Sequence, residues 1–191
     1  MYISRWYAIR TRSRAEKVVR EHLAQRGIET FLPLTMRVSQ WKDRRKDIKW
    51  PLFPGYCFAK FTNDQKLLIL QVPGTIEIIG SALGRPEPIP DSEITALQQV
   101  ISSLQPYEAH SELAAGMVVE VIRGPLMGLQ GKVQKKPGGC RLIITINLIG
   151  QGAAVHIDVN DIAPVTSSHV SALAGMSVAD SDPAFMVCRN G

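Results

Sequence analysis

The stretch WKDRRKDIKWPLFPGYCFAKF, Trp41 to Phe61, sets the cations Lys42, Arg44, Arg45, Lys46 and Lys49 directly against an apolar run broken by Pro-Gly. A second basic set, Arg12, Arg14, Lys17 and Arg20, lies earlier in the chain. Cations grouped in this way neutralise phosphates and release counterions, and arginine adds a planar face on which a base can stack. Phe53 and Tyr56 bracket Pro54, and aromatic residues of this kind supply the anchors of compact protein interfaces. Covalent chemistry finds no such support. No Ser or Cys sits in a nucleophile-elbow pattern, and His22, His110, His156 and His169 show neither carboxylate nor cysteine partners at catalytic or metal-ligand spacing. GPLMGLQGKV ends in Gly-Lys like a phosphate loop, but Leu126 and Val133 stand where that motif needs Gly and Ser or Thr. The residues describe a binding protein, with no enzyme activity, cofactor or metal expected.

The elements that must position these groups are legible from periodicity. RWYAIR reads as a strand from Arg5 to Arg10. The helix after it carries Ala15, Val18, Val19 and Leu23 as its apolar face, with Ser13 and Glu16 as a capping box and Gly27 as its stop. Lys17 and Arg20 then face outward, and His22 falls at the edge of the apolar side, where packing competes with binding. TFLPLTMRV is expected to be extended, the cationic run an exposed turn or hairpin, and YCFAKF a strand. Asn63 is expected to cap a short helix holding Leu67 to Leu70. VPGTIEIIG gives a turn into a strand, and PDSEITALQQVISSL a helix with Ile94, Leu97, Ile101 and Leu104 on one face.

The order of elements predicts an α+β chain: an N-terminal antiparallel sheet flanked by helices over residues 1–105, then a small five-stranded β-barrel over 116–165. The polar stretch 106–115 reads as a linker, and 166–191, rich in small residues, as a flexible tail. In the barrel segment, short β-rich runs alternate with glycine turns, and Gly124, Pro125, Gly128 and Gly131 suit tight turns or close backbone approach. Charge divides unevenly. Residues 1–60 hold fourteen Lys/Arg against five Asp/Glu, while 61–191 hold eight against twelve, so a polyanion or an acidic protein is expected to meet the N-terminal part. Scattered cysteines, odd in number at Cys57, Cys140 and Cys188, fit a reducing compartment. With no signal peptide or spanning run in view, a cytoplasmic protein without membrane attachment is expected.

Four segments, WYAIRTRSRAEKVVREHL, PLFPGYCFAKF, VPGTIEIIG and VIRGPLMGLQGKV, stand in the order found in the NusG family of transcription factors, and the chain up to Val165 resembles that family's NGN domain followed by its SH3-like KOW barrel. The resemblance implies a monomeric elongation and antitermination factor. Its N-terminal domain would bind the clamp formed by the largest RNA polymerase subunits and suppress pausing and termination. It assigns polymerase contact to Phe53, Pro54 and Tyr56, with Trp6 and Arg10, and non-template DNA to Arg12, Arg14, Lys17, Arg20 and His22. Lys42, Arg44, Arg45 and Lys46 are expected to meet nucleic acid at the cleft edge. The barrel, with the loop holding Gly124, Pro125, Gly128 and Gly131, would recruit Rho or a small-subunit ribosomal protein. The cationic run and the tail favour a specialised, operon-specific paralogue of the RfaH or UpxY kind. This chain departs from the best-known of these, in which a His-Thr-Thr element touches the far side of the cleft: its corresponding stretch reads Gln65-Lys66-Leu67. The reading from another class is a ribosome-associated or RNA-binding KOW protein. Against it, the barrel carries Arg123, Lys132, Lys135, Lys136 and Arg141 opposite Glu120, Asp158 and Asp161, a weak charge for a primary RNA binder.

Overall fold

The computed structural model describes residues 3–41, 44–80, 85–103, 105–110, 116–136 and 139–165. Its first unit is a sheet in the order β2-β5-β1-β6, built from β1 (Arg5–Thr11), β2 (Glu29–Phe31), β5 (Tyr56–Phe61) and β6 (Thr75–Ile78). Alternation along β1 and β5 divides the side chains between two layers. Tyr7, Ile9, Ala59 and Phe61 pack with Val19 and Leu23 of α1 (Glu16–Gln25) and Ile69 of α2 (Lys66–Leu70). Trp6, Ala8 and Phe58 pack with Ile94, Leu97 and Val100 of α3 (Asp91–Ser102). Between β2 and β5 a separate hairpin, β3 (Leu34–Trp41) with β4 (Arg44–Pro51), carries the cationic run. Lys42 lies outside the described residues.

Three local expectations are corrected. Glu16 does not turn back on Ser13 as a capping box: α1 has no side-chain cap, Glu16 is buried, and Val18, expected in the apolar face, is 46 % exposed. The C-terminus of α1 is as expected, with Gly27 at φ +74° and the pair Gly27 N–H to Ala24 O and Ile28 N–H to Leu23 O, a Schellman closure that brings Ile28 onto the same core as Leu23. The turn before α2 is closed by Thr62 rather than Asn63, since the Gln65 side-chain oxygen accepts from the Thr62 N–H and hydroxyl. On α3 the buried residue after Leu97 is Val100, with Ile101 half-buried. Leu104 lies outside the described residues.

The second sheet runs β12-β8-β9-β10-β11-β7, all antiparallel where paired. Its strands are β7 (Tyr107–His110), β8 (Val118–Val121), β9 (Gln130–Lys136), β10 (Gly139–Ile146), β11 (Gln151–Ile157) and β12 (Ile162–Pro164). Strands β8 to β12 are the five expected. The sixth, β7, comes from the segment read as a linker, which joins the edge of β11 through Tyr107↔Val155 to His110↔Gly152. Residues 111–115 of that segment and the tail 166–191 lie outside the described residues.

One apolar cluster runs through both units, joining Trp6, Phe53, Phe58 and Leu97 to Val121, Leu142, Ile144 and Val155. Two polar contacts sit at the seam. The Glu93 carboxylate of α3 accepts from the Asn147 backbone N–H at 3.1 Å and from its Nδ2 at 2.6 Å. The Tyr107 hydroxyl donates to the Leu34 carbonyl at 2.6 Å. An apolar seam closed by directional bonds fixes orientation as well as contact.

Candidate binding surfaces

The FPGY turn is held by its backbone. Gly55, at φ +84°, accepts at its carbonyl from the Thr11 N–H and donates its own N–H to Glu16 Oε1, both at 2.8 Å. The positive φ is why glycine stands there. This wiring decides which aromatic residues reach the surface. Phe53 is 1 % exposed and meets Phe58 edge-on, ring centroids 6.1 Å apart, and Trp6 is equally interior beneath the Lys60 ammonium. Phe53, expected in an outward apolar patch, and Trp6, assigned to polymerase contact, are instead interior side chains of the layer under α3. What faces outward is Pro54, half-buried Tyr56 and Arg10. Arg10 and Tyr56 are cross-strand partners, and Arg10 Nη1 lies 3.1 Å from Glu77 Oε1. The exposed edge is thus smaller and more polar than the sequence suggests.

Arg12 and Arg14 are exposed at the β1–α1 junction. Arg14 adopts φ +65°, a left-handed conformation that costs a non-glycine residue about 1 kcal/mol or more. The junction is braced by the Arg12 N–H donating to the Gly74 carbonyl at 2.8 Å. A Cβ on Gly74 would stand 2.9 Å from that of Ala15, so the VPG turn and the start of α1 fit only with glycine there. Lys17 reaches across to the hairpin, its Nζ donating to the Lys49 carbonyl at 2.9 Å. The two basic sets, separate in sequence, therefore adjoin at the hairpin root. Arg44, Arg45 and Lys46 occupy β4 opposite Trp41, Gln40 and Ser39. Arg20 lies further along α1, half-buried and 3.7 Å from Glu21, and His22 is half-buried as its helical position implies.

In the barrel, Gly124 and Gly128 take φ +87° and +82° in the β8–β9 loop, and Gly131 is needed for space, since a Cβ there would lie 2.7 Å from Ile144 Cδ1. Pro125 is exposed. Leu126 turns into the core, while Met127 and Ile122 in the same loop are exposed, at 68 % and 44 %. Sequence reasoning did not single out Ile122 and Met127 as exposed apolar residues; the signal available was two apolar residues in a loop otherwise closed by glycines. It likewise left the Gln65-Lys66-Leu67 stretch unassigned. Leu67 is 70 % exposed there, beside an open groove of about 820 Å³ lined by Ile3, Arg5, Lys66 and Arg85. Among the described residues no cluster of His, Cys, Asp and Glu could hold a metal ion, and no helix is long and apolar enough to cross a membrane.

A family model described as "Transcription termination factor nusG" matches residues 4–98, the segment that contains the FPGY turn, both basic sets and the first two turns of α3. The transcription termination/antitermination protein NusG of Vibrio parahaemolyticus is 27% identical over 167 residues, covering 81% of this chain and 92% of that protein. The chain is thus similar to the NusG family. The NusG protein of Escherichia coli K12 is also 27% identical, over 83% of this chain and 94% of its own length. The NusG-family alignments thus run through the barrel as well as the first unit. A solved structure, "Domain interaction in Thermotoga maritima NusG", aligns at 21% identity over 85% of this chain and 98% of that one, with a TM-score of 0.48.

Proposed function

We propose that this chain is a transcription antitermination factor. Its first unit binds the clamp of RNA polymerase through the edge formed by Pro54, Tyr56 and Arg10, while Arg12, Arg14 and Lys17, with the cationic hairpin, meet the displaced non-template DNA strand. The observation that carries the reading is the Gly55 node. One residue's backbone ties the apolar docking turn to Thr11 and Glu16, on either side of the arginine pair, so a protein-binding edge and a cationic surface are presented as one rigid body. Support for the activity itself comes from the termination and antitermination function printed in the names of the NusG relatives. The exposed Met127 and Ile122 at the barrel loop fit recruitment of a second protein, Rho or a small-subunit ribosomal protein. The cationic run favours an operon-specific paralogue over the housekeeping factor.

The test is co-purification of the full chain with RNA polymerase, combined with run-through at a terminator. Tyr56→Ala is the informative variant, with an expected weakening of about 2 kcal/mol, as for an interface anchor. Phe53→Ala is not, because removing a side chain this deep costs about 3–5 kcal/mol of fold stability whatever the partner. Unchanged polymerase binding by Tyr56→Ala and by Pro54→Asp together would refute this placement of the docking edge.

A further inference from the structure

We propose that the groove beside Leu67 is a docking site for this chain's own segment 178–187, VADSDPAFMV. Arg5 and Arg85 would take the carboxylates of Asp180 and Asp182, and Leu67 with Ile3 would take Phe185 and Met186. Three stretches build the groove: the start of β1, the turn 62–67 and residues 85–88. It shares Ile3, Arg5 and Pro88 with a second hollow of about 380 Å³ that runs on to Pro90 and Asp91, so the path suits an extended segment better than a compact ligand. Its inner wall includes Tyr7, buried and stacked on Phe61 with ring centroids 4.5 Å apart. Ile3 and Leu67 are both about two-thirds exposed on it, apolar surface that gains from being covered. Arg5 and Arg85 are exposed and have no ion-pair partner among the described residues, and Asp64 is the one carboxylate in the wall of the larger hollow. Pro86 and Pro88 carry no N–H, so this wall cannot extend a β-ladder through them and recognition falls to side chains.

Charge and position identify the occupant. In residues 166–191 the only acidic residues are Asp180 and Asp182, and five uncharged residues, Pro183 to Val187, follow them. Residues two apart in an extended segment point the same way, about 6.7 Å from one another, so both carboxylates face one cationic wall. Asp180 stands fifteen residues after Val165, the last described residue. That stretch spans at most about 50 Å, against roughly 40 Å for the diameter of a folded body of this size. A covalent tether of this length gives an effective concentration on the order of a millimolar, so a contact too weak to form between separate molecules is held within one. Any other protein segment that uses the groove has to displace this one, which gives the surface a threshold. The inference goes beyond the proposed function and does not depend on it, since none of the residues placed there at the polymerase edge or the DNA track lines this groove.

The experiment uses the full chain, isotopically labelled for amide NMR, with a nitroxide on Cys188, the one cysteine besides buried Cys57 and Cys140. Paramagnetic broadening of backbone amides then reports where the segment rests. The expected result is broadening localised to Ile3, Arg5, Leu67 and Arg85. Phe185→Ser/Met186→Ser should lower it roughly tenfold or more, the effect of losing one large apolar side chain from a buried contact. Asp180→Asn/Asp182→Asn should lower it several-fold, and added salt should do the same. Arg5→Glu/Arg85→Glu should also lower it, and combining that change with Asp180→Arg/Asp182→Arg should restore it, which damage to the fold could not do. Broadening spread over the surface in proportion to exposure, broadening centred on another site, or no response to the variants in 178–187 would each overturn the proposal. A mixture of nitroxide-bearing unlabelled chain with isotopically labelled chain isolates contacts between molecules. Broadening of equal size in that mixture makes a second copy the source of the occupant and overturns the proposal as well.

Discussion

Glu16 is the residue whose replacement most directly tests how the docking turn is held. It is a carboxylate only 4 % exposed, and its Oε1 accepts the Gly55 N–H at 2.8 Å. Glu16→Ala deletes the acceptor and leaves that N–H without a partner in a part-buried turn, a loss of about 1–3 kcal/mol, toward the upper end because the bond is charge-assisted. At roughly 2–4 °C per kcal/mol for a chain of this size, the melting temperature should fall by about 4–12 °C. Glu16→Gln keeps an oxygen at the same place and should retain most of the stability, with a deficit of about 1 kcal/mol or less for the weaker neutral bond. The assay is thermal and urea unfolding of the three proteins, with amide hydrogen exchange at Gly55 and Thr11 as the local readout. Both amides should lose protection in the alanine variant, since Thr11 donates to the carbonyl of the same glycine. If glutamine is as damaging as alanine, the buried charge and not the hydrogen bond does the holding. If alanine is neutral and Gly55 stays protected, the coupling of the turn to α1 is refuted.

Gly131→Ala should destabilise the barrel by several times more than Gly124→Ala, because a Cβ at 131 would lie 2.7 Å from Ile144 Cδ1 and 2.8 Å from the Ile143 carbonyl, whereas at 124 it meets open space and only the φ of +87° is strained; urea midpoints of the two variants check this. Asn147→Ala removes the side-chain Nδ2 bond to Glu93 at the seam between α3 and the barrel and leaves only the backbone N–H bond, and should increase hydrogen exchange at both seam faces while leaving the centres of β1 and β5 protected. Burial pushes the Cys57 thiol from 9.0 up to about 12, with Arg20 opposing the shift and Glu16 adding to it. The folded state therefore holds this proton more tightly than the unfolded chain, so the contribution to stability is whole below pH 9 and is lost as pH rises toward 12. The difference in stability between wild type and Cys57→Ala should narrow across that window, and alkylation of Cys57 should be slow at pH 8.

The sheet and helices were readable because their periods are strong: YCFAKF is a strand with the expected bounds, and Gly27 ends α1 where its conformational freedom says it should. What failed was local chemistry with two possible partners. Ser13 and Glu16 have capping-box spacing, yet the Glu16 carboxylate bonds Gly55, a residue distant in sequence, and no pattern near residue 16 signals it. Similarly, YEAH carries little strand character of its own and becomes β7 only because β11 offers an unpaired edge. Tertiary pairing overrides weak local preference in both cases. The candidate surfaces were half legible. Charge marked the two basic sets in the sequence, but neither spacing nor composition indicated that Lys17 would bond the hairpin root and bring them together.

The aromatic residues show why an interface is harder to read than a core. Phe53, Tyr56 and Phe58 have similar character in sequence, and the hydrophobic effect gives each the same reason to leave water. Their fates are set by geometry: the turn at Gly55 sends Phe53 inward against Phe58, while Tyr56, at the very end of the pairing with β1, is left half-buried next to Arg10. A tyrosine with a polar tip tolerates that boundary, and a phenylalanine gains nothing from it. Because the layer under α3 already uses Trp6 and Phe53, docking as proposed would draw its energy from the small edge of Pro54, Tyr56 and Arg10. The Arg10–Glu77 pair there is more than half exposed on each side and therefore contributes little to stability. Such a pair can be broken at low cost, which leaves Arg10 available to exchange Glu77 for a carboxylate on a partner. Orientation of the bound partner, rather than the bulk of its affinity, is then what the charge at this edge controls.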